Sequence, residues 1–277
     1  MATVEVIRAA QLDLLNEVRR ICEKNSIPYY LSEGTLIGAI RHNGFIPWDD
    51  DIDLGMLREN YNRFIEACKK DLDPAYVLLD WHSDPYSPLP FMKLKIRNTH
   101  YREKIMDKSK ADDGIFIDIF PFDSVPEDAR ARKKQKRITN VIFKILLVRC
   151  GYRLDHGSLP KRIVYETLKL LSRIRSIKSW KHAYEKEEMR YNGSSTKYVD
   201  LVFSRLSQRF TERQVLENTI PHLFEGDYYS VPKEFDTYLR GIYGDYMQLP
   251  PKEQQVGIHQ VYDIDLGNYT IRSKECN

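Results

Sequence analysis

Residues 47 to 55 read Pro-Trp-Asp-Asp-Asp-Ile-Asp-Leu-Gly, with four carboxylates in five positions. A chain can fold around such a run only by giving the acids a face of their own. Side chains on a strand alternate between faces. Asp51 and Asp53 therefore point one way, and Ile52 and Leu54 point the other, into apolar packing. Two adjacent carboxylates resist joint ionisation. A divalent cation removes that conflict, and hard oxygen ligands suit Mg²⁺. A solvated acidic turn is the alternative reading.

Just upstream lies Tyr29-Tyr30-Leu31-Ser32-Glu33-Gly34-Thr35-Leu36-Ile37-Gly38. Tyr30 and Leu31 end a strand, Gly34-Thr35 makes a tight turn, and Leu36 to Ile40 form the first turns of a helix. A glycine turn entering a helix N-terminus offers free backbone N–H groups to a phosphate. The Thr35 hydroxyl adds a donor. A phosphate cradle followed 16 residues later by a carboxylate pair suits a metal-bound nucleoside diphosphate. An ordinary strand-to-helix turn is the competing account.

At 277 residues the chain can bury a sizeable core. Cys22, Cys68, Cys150 and Cys276 are scattered, without Cys-x-x-Cys or zinc spacing. Reduced thiols in a cytoplasm are the simplest account. The N-terminal residues carry no long apolar stretch, so no signal peptide is expected. The best apolar run, Val141 to Val148, is broken by Lys144 and is too short to span a bilayer. Charge is divided unevenly. Residues 130 to 181 hold 16 of the 43 Lys and Arg but only two of the 40 acids, Asp155 and Glu166. Such a segment calls for a partner of its own.

Val4, Ile7, Gln11, Leu14, Leu15, Val18, Ile21 and Cys22 fit an amphipathic helix ended by Pro28. A helix over 58–70 buries Tyr61, Phe64, Ile65 and Cys68. Strands are expected at 76–81 and 91–97. Ile115 to Phe120 is almost wholly apolar, as a strand covered on both faces would be, with Pro121 stopping it. Asp118 inside that strand needs a cation, a proton or several donors, and is a candidate third metal ligand or general base. Helices are expected over 130–148, 159–177 and 179–190, and one opening at Val231-Pro232 and ending near Gly244. The basic helices suit an anionic membrane surface or an anionic ligand, or simply keep a solvated basic face. Aromatic stacking residues are sparse there, which argues against nucleic acid.

The block Tyr-Leu-Ser-Glu-Gly-Thr-Leu-Ile-Gly-Ala-Ile-Arg-His-Asn-Gly-Phe-Ile-Pro-Trp-Asp-Asp-Asp-Ile-Asp-Leu-Gly-Met, residues 30 to 56, closely resembles the signature of the LicD family of phosphocholine and fukutin-type ribitol-phosphate transferases. Phe91 to Lys95 and Tyr238 to Pro251 resemble further family segments. The resemblance implies an α+β fold of nucleotidyltransferase type: a mixed β-sheet core flanked by helices. It would comprise a catalytic core over 1–125, a basic helical insertion over 126–190 and a C-terminal part over 191–277 completing the core. Gly34-Thr35, the pair Asp51 and Asp53, and Asp118 match the family's turn, carboxylate pair and third carboxylate. Two departures stand out. The family's Arg and paired His after the double proline are replaced by Lys252 to His259, so no catalytic role is assigned to His259. Glu33 also adds an acid beside the turn, unhelpful to phosphate unless it faces away or touches the metal.

The implied reaction is transfer of a phospho-alcohol from a CDP-linked donor, CDP-choline foremost, to a sugar hydroxyl of a lipid-linked glycan or teichoic acid precursor. Asp51, Asp53 and Asp118 would hold one or two Mg²⁺ (or Mn²⁺), with Asp118 also a candidate base. Gly34 and Thr35 would cradle phosphate, and Lys93 and Arg41 would offset developing charge. Trp48, with Tyr29, Tyr30 and Trp81, is a candidate for cation–π contact with a quaternary ammonium. The enzyme is expected in the cytoplasm, with residues 130–181 as its contact to an anionic inner membrane face. Ribitol- or glycerol-phosphate transfer, a metal-dependent glycosyltransferase, and a non-enzymatic glycan-lipid binder are the alternatives.

Overall fold

A computed structural model describes residues 4–152, 159–203, 210–257, 259 and 261–273. The chain opens with α1 (Val4–Lys24), whose apolar positions are buried on one side. β1 (Tyr30–Leu31), α2 (Glu33–His42), β2 (Asp53–Leu57) and α3 (Arg58–Asp71) follow. Next come β3 (Tyr76–Leu79), β4 (Met92–Ile96), β5 (His100–Glu103) and the long β6 (Phe116–Val125). Three helices succeed them: α4 (Ala129–Arg149), α5 (Leu159–Ser172) and α6 (Ile177–Glu188). The remainder contributes β7 (Tyr198–Asp200), β8 (Thr211–Glu212), α7 (Arg213–Glu217), the hairpin β9 (Thr219–Phe224) and β10 (Asp227–Pro232), α8 (Phe235–Tyr243) and β11 (Val261–Asp265).

The main sheet runs β1-β2-β6-β4-β3, with β7 and β8 continuing beside the far end of β6. It is mixed: β2 and β6 are parallel, and the other pairings are antiparallel. The α+β expectation therefore holds. Leu54, Met56, Ile117, Ile119 and Leu94 are fully buried in the largest core cluster. That cluster also takes in Leu14, Leu15, Val18 and Ile21 of α1 and Phe64 of α3.

Pro121 does not stop β6. Asp118 N–H points to β2, donating to the Ile52 carbonyl. By alternation, the position three residues on would aim its N–H at the opposite edge. There β4 pairs only as far as Ile119 and β7 begins only at Asp123. Proline's missing donor thus falls in a gap between two partner strands and costs no ladder bond. Likewise Pro232 ends a strand, opposite Thr219, and the helix begins at Phe235 instead. The second basic helix stops at Ser172 instead of reaching Ile177, because the Ser176 side chain caps a new one by accepting from Ser179 N–H.

Gly55 marks the closest packing on the acid-bearing face of β2. A Cβ there would lie 2.2 Å from Tyr30 Cε2 and 2.9 Å from Phe122 Cε2, and both rings are buried with Tyr238 in the same layer. We expect Gly55→Ala to cost roughly 1–3 kcal/mol of stability through overpacking, read as a lower urea midpoint. An unchanged midpoint would mean that Tyr30 can move aside freely.

Candidate active site

The register of three strands builds the centre of the site. Asp53 on β2 pairs with Asp118 on β6, and Asp118 pairs with Lys93 on β4. Directly paired residues share a face of the sheet. The three side chains therefore form one row, and Lys93 Nζ donates to Asp118 Oδ1 at 2.6 Å. The same ammonium lies 3.2 Å from the centre of the Phe116 ring, a cation–π contact.

Asp51 precedes the strand rather than lying on it: β2 begins at Asp53, where Ser32 N–H reaches the Asp53 carbonyl before the chain turns into α2. Ile52 and Leu54 are fully buried, as the alternation required. Upstream, Asp49, Asp50 and Asp51 each offer a carboxylate oxygen, all within 4.8 Å of one another.

The geometry of α2 explains how this run reaches a helix N-terminus. Asn43 takes the left-handed conformation at the helix end (φ 55°), and its N–H returns to Ala39 O. A Cβ on Gly38 would lie 2.5 Å from the Gly44 carbonyl, so glycine lets the outgoing chain double back along the helix. Asp49 then arrives against Gly34, where a Cβ would sit 2.7 Å from Asp49 Oδ2. Gly34 and Thr35 are not a turn before the helix but its first turn, since α2 starts at Glu33. Thr35 Oγ1 accepts from Asp53 N–H at 2.8 Å, tying helix to strand. Its own proton remains to be donated.

Glu33 carries positive φ (49°), which costs a non-glycine residue roughly 1 kcal/mol or more. Its carboxylate accepts from Tyr238 OH at 3.2 Å and Tyr243 OH at 2.6 Å. The closing segment on α8 is thus the clamp for the extra acid.

Charge in this site is poorly compensated by protein groups. Burial pushes the Asp53 carboxyl well above the usual carboxylate range, and the charges of Asp51, Asp118, Glu33 and Asp49 add to the effect. Asp51 is raised in the same way, by burial and then by Asp49 and Asp118, with His259 opposing. Asp49 is raised by burial, partly offset by a hydrogen bond with Asp51.

His259 is the cation that the sequence reading set aside. Its Nδ1 lies 3.0 Å from Asp50 Oδ1, and its Nε2 faces Glu103 at 3.8 Å and Asp51 at 4.0 Å. Burial alone would discharge the ring. The Asp50 hydrogen bond and the Glu103, Asp51 and Asp50 charges win, raising it to about 9. Tyr101 donates to Asp50 Oδ2 at 3.3 Å. From α1, Arg8 donates to the carbonyls of Ile46, Pro47 and Asp49, and Gln11 to those of Asp50 and Phe116. None of these partners was expected. For Asp49 and Asp50 the signal was their place in the run; for Arg8, Gln11 and Glu103 no local pattern marks them.

Other expected residues lie apart. Arg41 is in the last turn of α2 and donates to His42 and to the Tyr246 carbonyl. It lies six residues, about 9 Å of helix rise, beyond Thr35. Trp48 is half-buried beside the acids. Tyr29, Tyr30 and Trp81 are buried core rings, Trp81 against Tyr184. They do not offer faces to a ligand.

The sequence that builds this row, loop and helix N-terminus matches a known class. The family model described as LicD/FKTN/FKRP, nucleotidyltransferase domain, matches residues 26–144. The lipopolysaccharide cholinephosphotransferase LicD of Haemophilus influenzae is 31% identical over 258 residues, covering 90% of this chain and 92% of that protein. The human ribitol 5-phosphate transferase FKRP is 45% identical over 40 residues, 14% of this chain and 8% of that protein. The chain belongs to the LicD family.

The His259 charge yields a pH prediction for metal-free protein. Its folded pKa exceeds the unfolded value, so its contribution is complete below about 6.5 and is lost as pH rises through about 9. His259→Gln should therefore destabilise by up to about 3 kcal/mol near pH 6 and by little at pH 10. Urea unfolding at the two pH values checks this. An equal loss at both would show that the ring acts by packing alone.

Proposed function

We propose that this chain transfers a phospho-alcohol from a CDP-linked donor to a hydroxyl of a cell-surface glycan, with phosphocholine the favoured group. The observation that carries the reading is the paired row Asp53–Asp118–Lys93 beside Asp51 and the N-terminus of α2, in a chain similar over nearly its whole length to a cholinephosphotransferase. On this reading the mixed sheet is of nucleotidyltransferase type, and residues 126–190 are a basic insertion between two parts of one core.

The residues present suit a divalent cation. They supply hard oxygen donors, they are buried or half-buried, and desolvation and mutual repulsion hold Asp51 and Asp53 in an unfavourable ionisation state. Two ligand sets suggest themselves. Asp49, Asp50 and Asp51 bring ligand oxygens within 4.8 Å of one another, whereas the other set joins Asp51 of the loop to Asp53 and Asp118 of the strand row. The second set is preferred, because Asp51 and Asp53 are both held from ionising by burial and by neighbouring acids, whereas Asp50 is bonded through both oxygens by His259 and Tyr101; Asp118 would join through the oxygen that Lys93 leaves open. Mg²⁺ is the first candidate and Mn²⁺ the second. Bound there, the ion would neutralise diphosphate charge and favour deprotonation of a hydroxyl.

The protein groups would do the rest by positioning and charge. Thr35 and the free N–H groups at the start of α2 receive phosphate oxygens. Lys93 holds Asp118 through Oδ1, leaving Oδ2 for the ion or, in its place, for the acceptor's proton. Lys93 also places positive charge at the strand row where a leaving phosphate would carry negative charge. Trp48 presents the half-buried ring next to the acids, a fit for a quaternary ammonium. Ribitol phosphate is the second reading, favoured by the 40-residue similarity to the ribitol 5-phosphate transferase.

Thermal-shift measurements with CDP-choline, CDP-ribitol and CDP-glycerol test the donor. The expected result is a rise in melting temperature with CDP-choline that requires Mg²⁺. A rise with UDP-sugars instead would turn the reading to a glycosyltransferase. Asp53→Asn should lower transfer on the order of a hundredfold or more. It should also leave metal-free stability unchanged or higher, because it removes a repelled carboxylate. Retained transfer in that variant would overturn the proposal.

A further inference from the structure

Helix α5 is amphipathic in an unusual sense: it exposes its apolar residues. It packs on α4 through Leu168, which joins Ile145 and Val148 in a small cluster with Tyr165 and Trp180. Trp180 Nε1 also donates to the Ser172 carbonyl at 3.2 Å. Yet Ile163 is 61% exposed, Val164 56%, Leu170 68% and Leu171 38%. Ile174, in the turn that continues the helix, is 70% exposed. Positions i, i+1, i+7 and i+8 fall on one side of a helix, so these side chains form a single stripe. Other exposed aliphatics, among them Ile105, Val141, Leu249 and Val256, are spread along the chain, whereas a contiguous exposed stripe of five marks a contact surface.

The charges beside the stripe say what it meets. Arg162 and Lys169 lie seven residues apart on the flank next to it, and Arg173 extends their row; all three are exposed. Lys161, Arg175 and Lys178 are exposed nearby, and Glu166 is the one acid of α5. An apolar stripe bordered by cations fits an anionic bilayer, which takes aliphatic side chains below the headgroups and pairs the cations with phosphates. A second copy of this chain would bring the same cations against themselves. No helix among the described residues is long and apolar enough to cross a membrane, so contact of this kind would lie in the surface plane.

We infer that α5 seats the protein on an anionic membrane, with Ile163, Val164, Leu170, Leu171 and Ile174 inserted and Arg162, Lys169 and Arg173 at the headgroups. The inference deepens the proposed function only in saying how a lipid-linked acceptor would be met, and its test needs no catalysis. The full chain is floated with vesicles of phosphatidylcholine alone or mixed with phosphatidylglycerol. It should float with the mixed vesicles, stay behind with the neutral ones, and release as salt rises. A triple variant, Ile163→Ser, Leu170→Ser and Ile174→Ser, should lose about tenfold or more in partitioning. Its circular dichroism and its thermal shift with CDP-choline should match the parent. The triple variant Arg162→Glu, Lys169→Glu and Arg173→Glu should lose the anionic preference. Asp53→Asn should float like the parent, which separates this result from the fate of the catalytic reading. Equal flotation with both vesicles, flotation with neither, or unaltered flotation of the serine variant would overturn the inference. So would conversion of a dimer to a monomer by the serine substitutions, since the stripe would then be a self-association face.

Discussion

Repulsion between buried carboxylates governs this structure. Asp53 and Asp118 occupy paired positions on parallel strands, where neighbouring chains run about 5 Å apart. Two full charges at that distance, at the effective dielectric typical of proteins, repel by on the order of 3 kcal/mol. Lys93 relieves part of this from the other side of Asp118. His259 relieves another part at Asp50 and Asp51. Among the described residues no cation pairs with Asp53, and the charges of Asp51, Asp118, Glu33 and Asp49 all raise its affinity for a proton. The arrangement is costly as a scaffold and well suited to receiving positive charge, and that asymmetry is why function is read from this place.

The elements around the acids act to hold them in spite of that cost. Arg8 reaches three successive stretches of the acidic loop through its carbonyls, with the guanidinium 4.8 Å from the Phe45 ring centre. Gln11 joins the loop to β6 by bonding both the Asp50 and the Phe116 carbonyls. Thr35 pins the first residue of β2 to the first turn of α2. These contacts go to backbone atoms, so they fix where the carboxylates are without neutralising them. Glu33 follows the same logic in reverse. Its strained backbone is retained because Tyr238 and Tyr243 bind the carboxylate, and α8 is thereby locked to the helix N-terminus.

Much of this was legible in the residues because local chemistry leaves local traces. The alternation Asp-Ile-Asp-Leu announced which side chains would be buried, and Ile52 and Leu54 are. An acid isolated among apolar residues announced that Asp118 had a partner, although its first partner turned out to be Lys93. What stayed hidden depends on register and chain return. Pro121 reads as a strand breaker until one knows that the neighbouring strands leave a gap at that position. Tyr29, Tyr30 and Trp81 read as a ligand cage by composition, but packing places all three in the core. His259 arrives from more than 200 residues away to meet Asp50, in a stretch that departs from the family's Arg and paired His, so its role has no trace in the pattern around it. Arg8 went unmarked and Gln11 counted only as a position of the amphipathic helix, because carbonyl acceptors have no signature in sequence.

The basic helices are fastened to this site by groups that tolerate no slack. Arg58 at the start of α3 makes a two-pronged pair with Asp123 of β6, at 2.7 and 2.6 Å, and a further bond to Glu188 at the end of α6. Lys181 of α6 is buried with its ammonium held by the carbonyls of Trp81, Asp84 and Pro85, in the segment between β3 and β4. Burial lowers its pKa, with nearby thiol and acidic groups opposing. A buried charge satisfied only by carbonyls loses its compensation if the helix shifts by even an ångström or two. Lys181 thus couples α6 to the strand that carries Lys93, and α5 follows through its packing on α4 and Trp180. An exposed stripe on a loosely tethered helix would say little about orientation. Joined to α6 in this way, the stripe on α5 has a defined bearing relative to the row of Asp53, Asp118 and Lys93.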